Sequence, residues 1–519
     1  MTSPTIDAPD GLPLTVPALL AARAAERPDD VLLVCDGDRL TYGEADRRSA
    51  LLARALLAAG VGHGSRVALL YPNGSDFVVG WLAAARIGAI SVPLSTFSTS
   101  AELAGLLRGA DVSVLLAAET YRSHDYRAGL AAAIPEFDPD APPPLWSPVV
   151  PSLRRIAFTA ADRDPGWTLA GAESLAAAEA AVTPADRMVI VHTSGSTSEP
   201  KGVIHTHGAL IRHLDNLNQM RRYAPGEVLF SNSPFFWIGG FAYALLGTLV
   251  AGARLVCSNA ADAAGVLDVL ERERPTMVNG FAASVAHLPQ DPSFPTRDLS
   301  SIRRGNLYPI MPAAARPADP ELRHAMLGMT EAGSVCLASE DESDQPEHRR
   351  GSFGRPVPGF EAEVREGVLW FRGPFLMEGY DGRERHETFD PDGWFCTGDL
   401  VSVDREGFFH FHGRAGDTIK TGGANVSPRE VEAAILEVSG LTAHVVGVED
   451  EARGQVVAAL VRAPDGAAVD LDDLRARLKD RISAYKVPRR IAVVPDANVP
   501  MMSSGKLDLR ALREMLRDA

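Results

Sequence analysis

The chain has 519 residues, with 51 lysines and arginines against 67 aspartates and glutamates, a net charge of −16, and 46% hydrophobic residues. That length supports more than one hydrophobic core, and the acidic balance excludes broad binding to nucleic acid or anionic membranes, which needs basic surface. Four scattered cysteines, Cys35, Cys257, Cys336 and Cys396, have neither metal-ligand spacing nor a disulfide framework and read as thiols of a reducing compartment. Residues 1–13 lack a basic start and an apolar signal core. The longest apolar runs contain glycine and are too short for a bilayer, so a cytoplasmic location is expected.

In chain order, apolar residues at helical spacing cover 16–25, and 31–35 with 40–42 read as a strand pair around the turn Asp36-Gly37-Asp38. Helices are expected at 42–59, 76–87 and 101–109, alternating with buried strands at 67–70, 89–93 and 112–117. This alternation predicts a layered α/β domain with a largely parallel sheet. Residues 135–166, rich in Pro, Asp and Ala, read as a variable surface connection. Further on, helices are expected at 208–221 and 261–272, and strands at 188–191, 228–232, 255–257 and 276–278. From about residue 351 the texture changes to short alternating strands (360–364, 368–371, 408–412) separated by Gly/Asp turns, which suits a small antiparallel or barrel-like unit. After Gly413-Arg414 a segment with its own α+β pattern opens with Ser427-Pro428-Arg429-Glu430, read as a capping box with proline in the first turn. The expected organisation is a large domain over 1–413 and a small mobile one over 414–519.

The stretch from His192 to Gly202, His-Thr-Ser-Gly-Ser-Thr-Ser-Glu-Pro-Lys-Gly, offers the densest set of anion donors. Thr193, Ser194, Ser196 and Thr197 supply hydroxyls, Gly195 lets backbone approach a ligand, and Lys201 adds charge. It is not a Walker A loop, because Lys201 follows Pro200 and precedes Gly202. A polar surface loop is the rival reading for this stretch alone. Leu327-Gly328-Met329-Thr330-Glu331 sets a hydroxyl beside a carboxylate that could ligate Mg2+. Gly398-Asp399 presents an acid able to accept ribose hydroxyls, and Ser503-Ser504-Gly505-Lys506 carries a lysine on a flexible loop.

These segments, in this order, resemble the adenylate-forming superfamily of acyl-CoA synthetases, peptide-synthetase adenylation domains and luciferases. The resemblance covers nearly the whole chain, from Leu40 to Lys506, and is nearest in texture to bacterial fatty-acid or aryl-acid CoA ligases. It implies ATP, Mg2+ and coenzyme A as ligands, with Thr193, Ser194, Gly195, Ser196, Thr197 and Lys201 at the β- and γ-phosphates. It assigns Thr330 to the α-phosphate, Glu331 to the metal, Asp399 and Arg414 to the ribose, and Lys506 to the α-phosphate and the acid. Gly305 and Asn306 fall where the family's adenine loop sits, and Leu327 stands where an adenine-stacking aromatic is usual. Phe236, Trp237, Gly240, Phe241, Asn279, Gly280, Gly328 and Met329 are implied in the acyl pocket, Gly422 and Gly423 in the pantetheine channel, and Gly416 at the hinge. The aromatic segment suggests a bulky apolar or aromatic acid, although Phe235 reads as plain core. His192, His205 and His207, flanking the phosphate loop, read as packing or capping residues. Ser198-Glu199 departs from the family loop, and Trp237 replaces a common histidine.

The implied reaction is attack of a carboxylate on ATP to give acyl-AMP and pyrophosphate, followed by transfer to the thiol of CoA. Loading of a carrier protein is the alternative, as is use of the adenylate for amide formation or for activating a non-carboxylate oxyanion. The sequence leaves the oligomeric state open, with a homodimer among the options.

Overall fold

The computed structural model describes residues 11–158, 167–193, 200–415, 419–421, 424–450, 454–464, 469–482, 484, 486–502, 507–517 and 519. Two compact units divide the chain: residues 1–361 with 372–393 form the first, and 362–371 with 394–519 the second. The first unit holds two large sheets. One has six strands in the order Arg304–Gly305, Met277–Val278, Val228–Phe230, Arg254–Cys257, Val31–Cys35 and Asp38–Thr41. All its neighbours run parallel except the last pair, the hairpin expected around Asp36-Gly37-Asp38. The other has seven strands, in the order Gly379–Tyr380, Lys201–Thr206, Arg187–Thr193, Ile90–Pro93, Arg66–Leu70, Val114–Ala117 and Arg155–Ala157.

The sequence explains why these strands are interior. Val67–Leu70, Leu115–Ala117 and Met188–Val191 are apolar on both faces and at most 1% exposed, as a sheet covered on both sides requires. Helix Tyr42–Ala58 starts where expected, because Thr41 and Glu44 close a reciprocal capping box. Helix Ser75–Arg86 has no polar face: Phe77, Val78, Val79, Trp81, Leu82 and Ala83 are all 0% exposed. A helix apolar all round has to be enclosed, and this one presents Phe77 and Trp81 to the aromatic segment 235–241.

Residues 327–356 form a three-stranded antiparallel sheet of Leu327–Met329, Ser334–Ala338 and Arg355–Pro356. Apart from the end residues Glu361 and Arg372, a four-stranded sheet (Glu361–Arg365, Val368–Arg372, Phe395–Val403, Phe409–Arg414) belongs to the second unit. That unit also contains a five-stranded sheet packed with helices Pro428–Ser439 and Leu471–Arg481. Helix Pro428–Ser439 corrects one expectation. Ser427 is its N-cap residue but caps nothing, since its hydroxyl donates to the His412 carbonyl at 3.0 Å, while Glu430 takes Lys486 as its partner at 2.5 Å. Among the described residues, no helix is long and apolar enough to cross a membrane.

Candidate active site

The phosphate-loop candidate joins two adjacent antiparallel strands, Arg187–Thr193 and Lys201–Thr206. Its ends are in register: Thr193 stands opposite Lys201, and the Thr193 hydroxyl faces the Lys201 carbonyl at 3.5 Å. Ser194, Gly195, Ser196, Thr197 and the unusual Ser198-Glu199 lie outside the described residues. The Lys201 ammonium sits 5.1 Å from the centroid of the Tyr380 ring, a cation–π contact. Tyr380 belongs to the edge strand Gly379–Tyr380, which pairs with Lys201–Thr206.

The same tyrosine reaches the second motif. Its hydroxyl donates to Glu331 Oε1 at 2.8 Å, and the Met377 amide donates to the Glu331 carbonyl at 2.8 Å. Thr330 and Glu331 sit in a short 3-10 turn that ends at Gly333, whose φ of 72° is a left-handed conformation suited to glycine. A side chain there would also press within 2.6 Å of Leu210 and 3.3 Å of His205. His205, on the strand leaving the loop, places its Nε2 2.7 Å from the Thr330 carbonyl. The carbonyl can only accept, so Nε2 carries the proton. Burial pushes this imidazole down to about 4, which keeps it neutral at physiological pH. The histidine read from sequence as packing or capping is thus a tether: His205 and Tyr380 fasten both residues of the Thr330–Glu331 turn to the hairpin that carries the loop. Its neighbour His207 does act as a cap, its Nδ1 accepting the Val16 amide at 3.2 Å.

The remaining assigned residues fall into separate structural roles. Gly305, at φ 130°, lies against the neighbouring strand, and a Cβ there would stand 1.9 Å from the Val278 carbonyl. Asn306 accepts from the Gly280 amide and donates to the Gly280 carbonyl, both at 3.0 Å, and Asn279 adds a contact at 3.4 Å. Leu327 is half-buried opposite Leu337, and Met329 is 9% exposed. Gly328 is exposed, with room for no Cβ closer than 3.0 Å to the Ser334 carbonyl. Phe236 is 5% exposed and Trp237 half-buried, and Gly240 lies beneath the Pro234 carbonyl, where a Cβ would come within 2.1 Å. Phe241, assigned to the pocket, is fully buried edge-on to Trp81 and Phe77. Phe235 is equally core, against Phe77.

In the second unit Asp399 and Arg414 face each other across antiparallel strands, with Arg414 Nε 2.7 Å from Asp399 Oδ1. The Asp399 carboxylate is 2% exposed, and the Arg414 side chain 56%. Gly416, Gly422, Gly423 and Lys506 lie outside the described residues. Sequence reasoning missed Tyr380, which donates to Glu331; Asn73, which clamps the Ser233 carbonyl and the Phe235 amide; and Phe281, edge-on to Trp237. Only Phe281, an aromatic directly after Asn279-Gly280, left any local signal.

The first unit is thus a layered α/β body in which the Thr330–Glu331 turn is tied to strand Lys201–Thr206 and its neighbour Gly379–Tyr380. The chain belongs to the AMP-binding enzyme family, whose model matches residues 20–381, while the AMP-binding enzyme C-terminal domain matches residues 430–506. It is similar to a feruloyl-CoA synthase from an Amycolatopsis species, at 32% identity over 93% of this chain and 96% of the relative. Among solved structures it is similar to ATP-bound MatB from Rhodopseudomonas palustris (25% identity, TM-score 0.77, 97% and 99% of the two chains). It also resembles the amide bond synthetase McbA from Marinactinospora thermotolerans (26% identity, TM-score 0.75, 96% and 99%).

Proposed function

We propose that the chain activates a carboxylic acid with ATP, forming acyl-AMP and pyrophosphate, and then transfers the acyl group to the thiol of coenzyme A. The observation that carries this reading is the docking of the Thr330–Glu331 turn, through His205 and Tyr380, onto the strand that leaves the anion-donor loop. The similarity to a feruloyl-CoA synthase supports CoA as acceptor. The likeness to an amide bond synthetase supports an amine as the second candidate, with a carrier-protein thiol as a third.

The attacking carboxylate is already ionised near neutral pH, so the reaction needs no general base. Positioning and charge stabilisation therefore dominate. In this reading the loop residues 193–197 and Lys201 hold the leaving phosphates, Thr330 orients the α-phosphate, and Asp399 with Arg414 engages the ribose. Gly305, Asn306 and Leu327 border the adenine, and Gly422 and Gly423 line the path of the thiol. The donor chemistry of Glu331 fits Mg2+, which takes one or two carboxylates together with phosphate oxygens. Glu331 would hold that ion, which neutralises charge on the phosphates when bound. In the same reading the segment from Arg414 onward, which carries Lys506, would turn about Gly416 and so exchange one half-reaction for the other. A cytoplasmic location, with reduced cysteines, accompanies this assignment.

Pyrophosphate release screened over aliphatic, aryl and polycyclic acids, with and without CoA, tests the reading. Acid-dependent release with acyl-CoA formation supports it; release without any thioester, but with amide when an amine is supplied, would replace the acceptor. The tether makes a separate prediction. Tyr380→Phe keeps the ring under Lys201 and removes only the hydroxyl on Glu331, so Mg·ATP binding weakens by roughly 10-fold, the scale of one hydrogen bond to a charged group. Calorimetric titration with ATP in the presence and absence of Mg2+ checks this, and the loss is confined to the Mg2+-containing arm.

A further inference from the structure

Strand Gly379–Tyr380 is short and lies at the edge of the seven-stranded sheet, where Tyr380 stands opposite Val203 and Gly379 opposite Ile204. Side chains alternate between the two faces of a strand, so a slip of one residue would turn Tyr380 over. Its ring would then leave Lys201 and its hydroxyl would leave Glu331. A strand below the usual length has little backbone pairing of its own to prevent that slip. The Glu378 amide donates to the Ile204 carbonyl at 2.9 Å, and the Asp381 amide to the Gly202 carbonyl at 2.7 Å.

The residues on either side of the strand are both acids, and an arginine grips each of them. Arg187 places its Nε 3.0 and 3.1 Å from the two oxygens of Glu378. Both side chains of that pair are exposed, so water and salt screen it. Arg66, the first residue of strand Arg66–Leu70, takes Asp381 end-on: Nη1 donates to Oδ2 and Nη2 to Oδ1, both at 2.8 Å. These side chains are 18% and 15% exposed, which spares them most of that screening. Arg66 Nη1 also donates at 2.8 Å to the carbonyl of Ala110, the C-cap of helix Ser100–Gly109, so the guanidinium is itself held by a rigid element. Asp381 packs closely over Gly202, where a Cβ would stand 3.2 Å from the Asp381 Cβ. A two-pronged pair of this kind fixes direction as well as distance.

We propose that Arg66 and Asp381 are positioning residues for the metal and phosphate end of the site. Their ion pair sets the register of Tyr380, and through Tyr380 it aims the Glu331 carboxylate and the Lys201 ammonium. This rests on the ATP-dependent function proposed above. Asp381 acts at one remove, through the residue that precedes it, and its substitution is felt where Tyr380 is felt.

The test is calorimetric titration of the full chain with ATP, with and without Mg2+. The wild type, Asp381→Asn, Tyr380→Phe, the double variant and Arg66→Lys are compared. Asp381→Asn keeps the side chain's shape but sets an amide donor against a guanidinium donor. It should weaken Mg·ATP binding by about 10-fold, the scale of one hydrogen bond to a charged group. Its KM for the acid, read by pyrophosphate exchange, should stay at the wild-type value. On the Tyr380→Phe background the same substitution should cost much less, because the contact it acts through is already gone. Arg66→Lys keeps the charge and loses the fork, so its binding should fall between that of the wild type and that of Asp381→Asn; it carries the test if Asp381→Asn does not fold. Losses that multiply in full in the double variant, to within about twofold, overturn the proposal, because independent sites add in that way. Wild-type Mg·ATP binding in both Asp381→Asn and Arg66→Lys overturns it as well. A wild type that binds no Mg·ATP overturns the ATP-dependent function itself, and this inference with it.

Discussion

Lys506→Ala lowers acyl-adenylate formation by about 10²- to 10³-fold, the usual cost of removing one positioned charge from a transition state. The same variant retains thiolysis of a supplied acyl-adenylate. The first half-reaction drives pyrophosphate, a multiply charged anion that keeps the bridging oxygen's electron pair, away from an α-phosphate that bears charge of its own, so a lysine on that phosphate acts where negative charge is redistributed. The second half-reaction displaces AMP from a carbonyl and has no such need. Pyrophosphate exchange measures the first step, and single-turnover thioester formation from synthetic acyl-AMP measures the second. Equal losses in both would remove Lys506 from this role and point to a general structural contribution. A preserved first step would return attention to Lys201, whose ammonium is occupied by the Tyr380 ring.

A second large effect concerns stability. His205, His207 and His213 are at most 1% exposed, and burial pushes them down to about 4, 4 and 3. His213 stacks on Phe375 at 5.4 Å and meets Phe360 edge-on at 5.2 Å, surroundings that solvate no charge. In the unfolded chain each titrates near its ordinary 6.5. Between about pH 6.5 and 4 the unfolded state therefore binds more protons than the folded one. Linkage then requires stability to be full above 6.5 and to fall with acidification. Each histidine contributes about 1.4 kcal/mol per pH unit in that window, so three together approach roughly 4 kcal/mol per unit. Against a total of about 5–15 kcal/mol, this places acid unfolding within the window. Urea denaturation at steps from pH 7 to 4.5 checks it. His213→Phe should flatten the dependence, and a flat wild-type profile would show that these imidazoles become charged inside the fold.

Much of the architecture was legible because local signals agreed with one another. The strand pair around Asp36-Gly37-Asp38, the capped start at Thr41 and the apolar strand before the loop each carry their own chemistry. The anion-donor stretch and Thr330-Glu331 fall within residues 20–381, the span that the AMP-binding enzyme family model matches. What failed to show was whatever depends on distant partners. Ser427-Pro428-Arg429-Glu430 has every mark of a capping box, yet the His412 carbonyl takes the serine hydroxyl. Phe235, Phe236, Trp237 and Phe241 look alike in sequence. Only the buried apolar residues of helix Ser75–Arg86 separate the two that pack into core from the two that continue toward Phe281. Tyr380 and His205 stand in unremarkable strand sequence, and their roles arise from cross-strand register with the loop hairpin.

The cap on the first helix carries a consequence for biosynthesis. Helix Val16–Glu26 is closed at its start by His207, 191 residues later, and near its end Arg23 donates to the carbonyl of Leu249, 226 residues later. A ribosome adds about 5–20 residues per second. These two bonds therefore wait on the order of ten to forty seconds, by that rate, before their acceptor groups exist. During that interval the helix has native neighbours in the earlier-made helices Tyr42–Ala58 and Ser75–Arg86, so its docking is completed in two stages, first on those helices and later on His207 and Leu249.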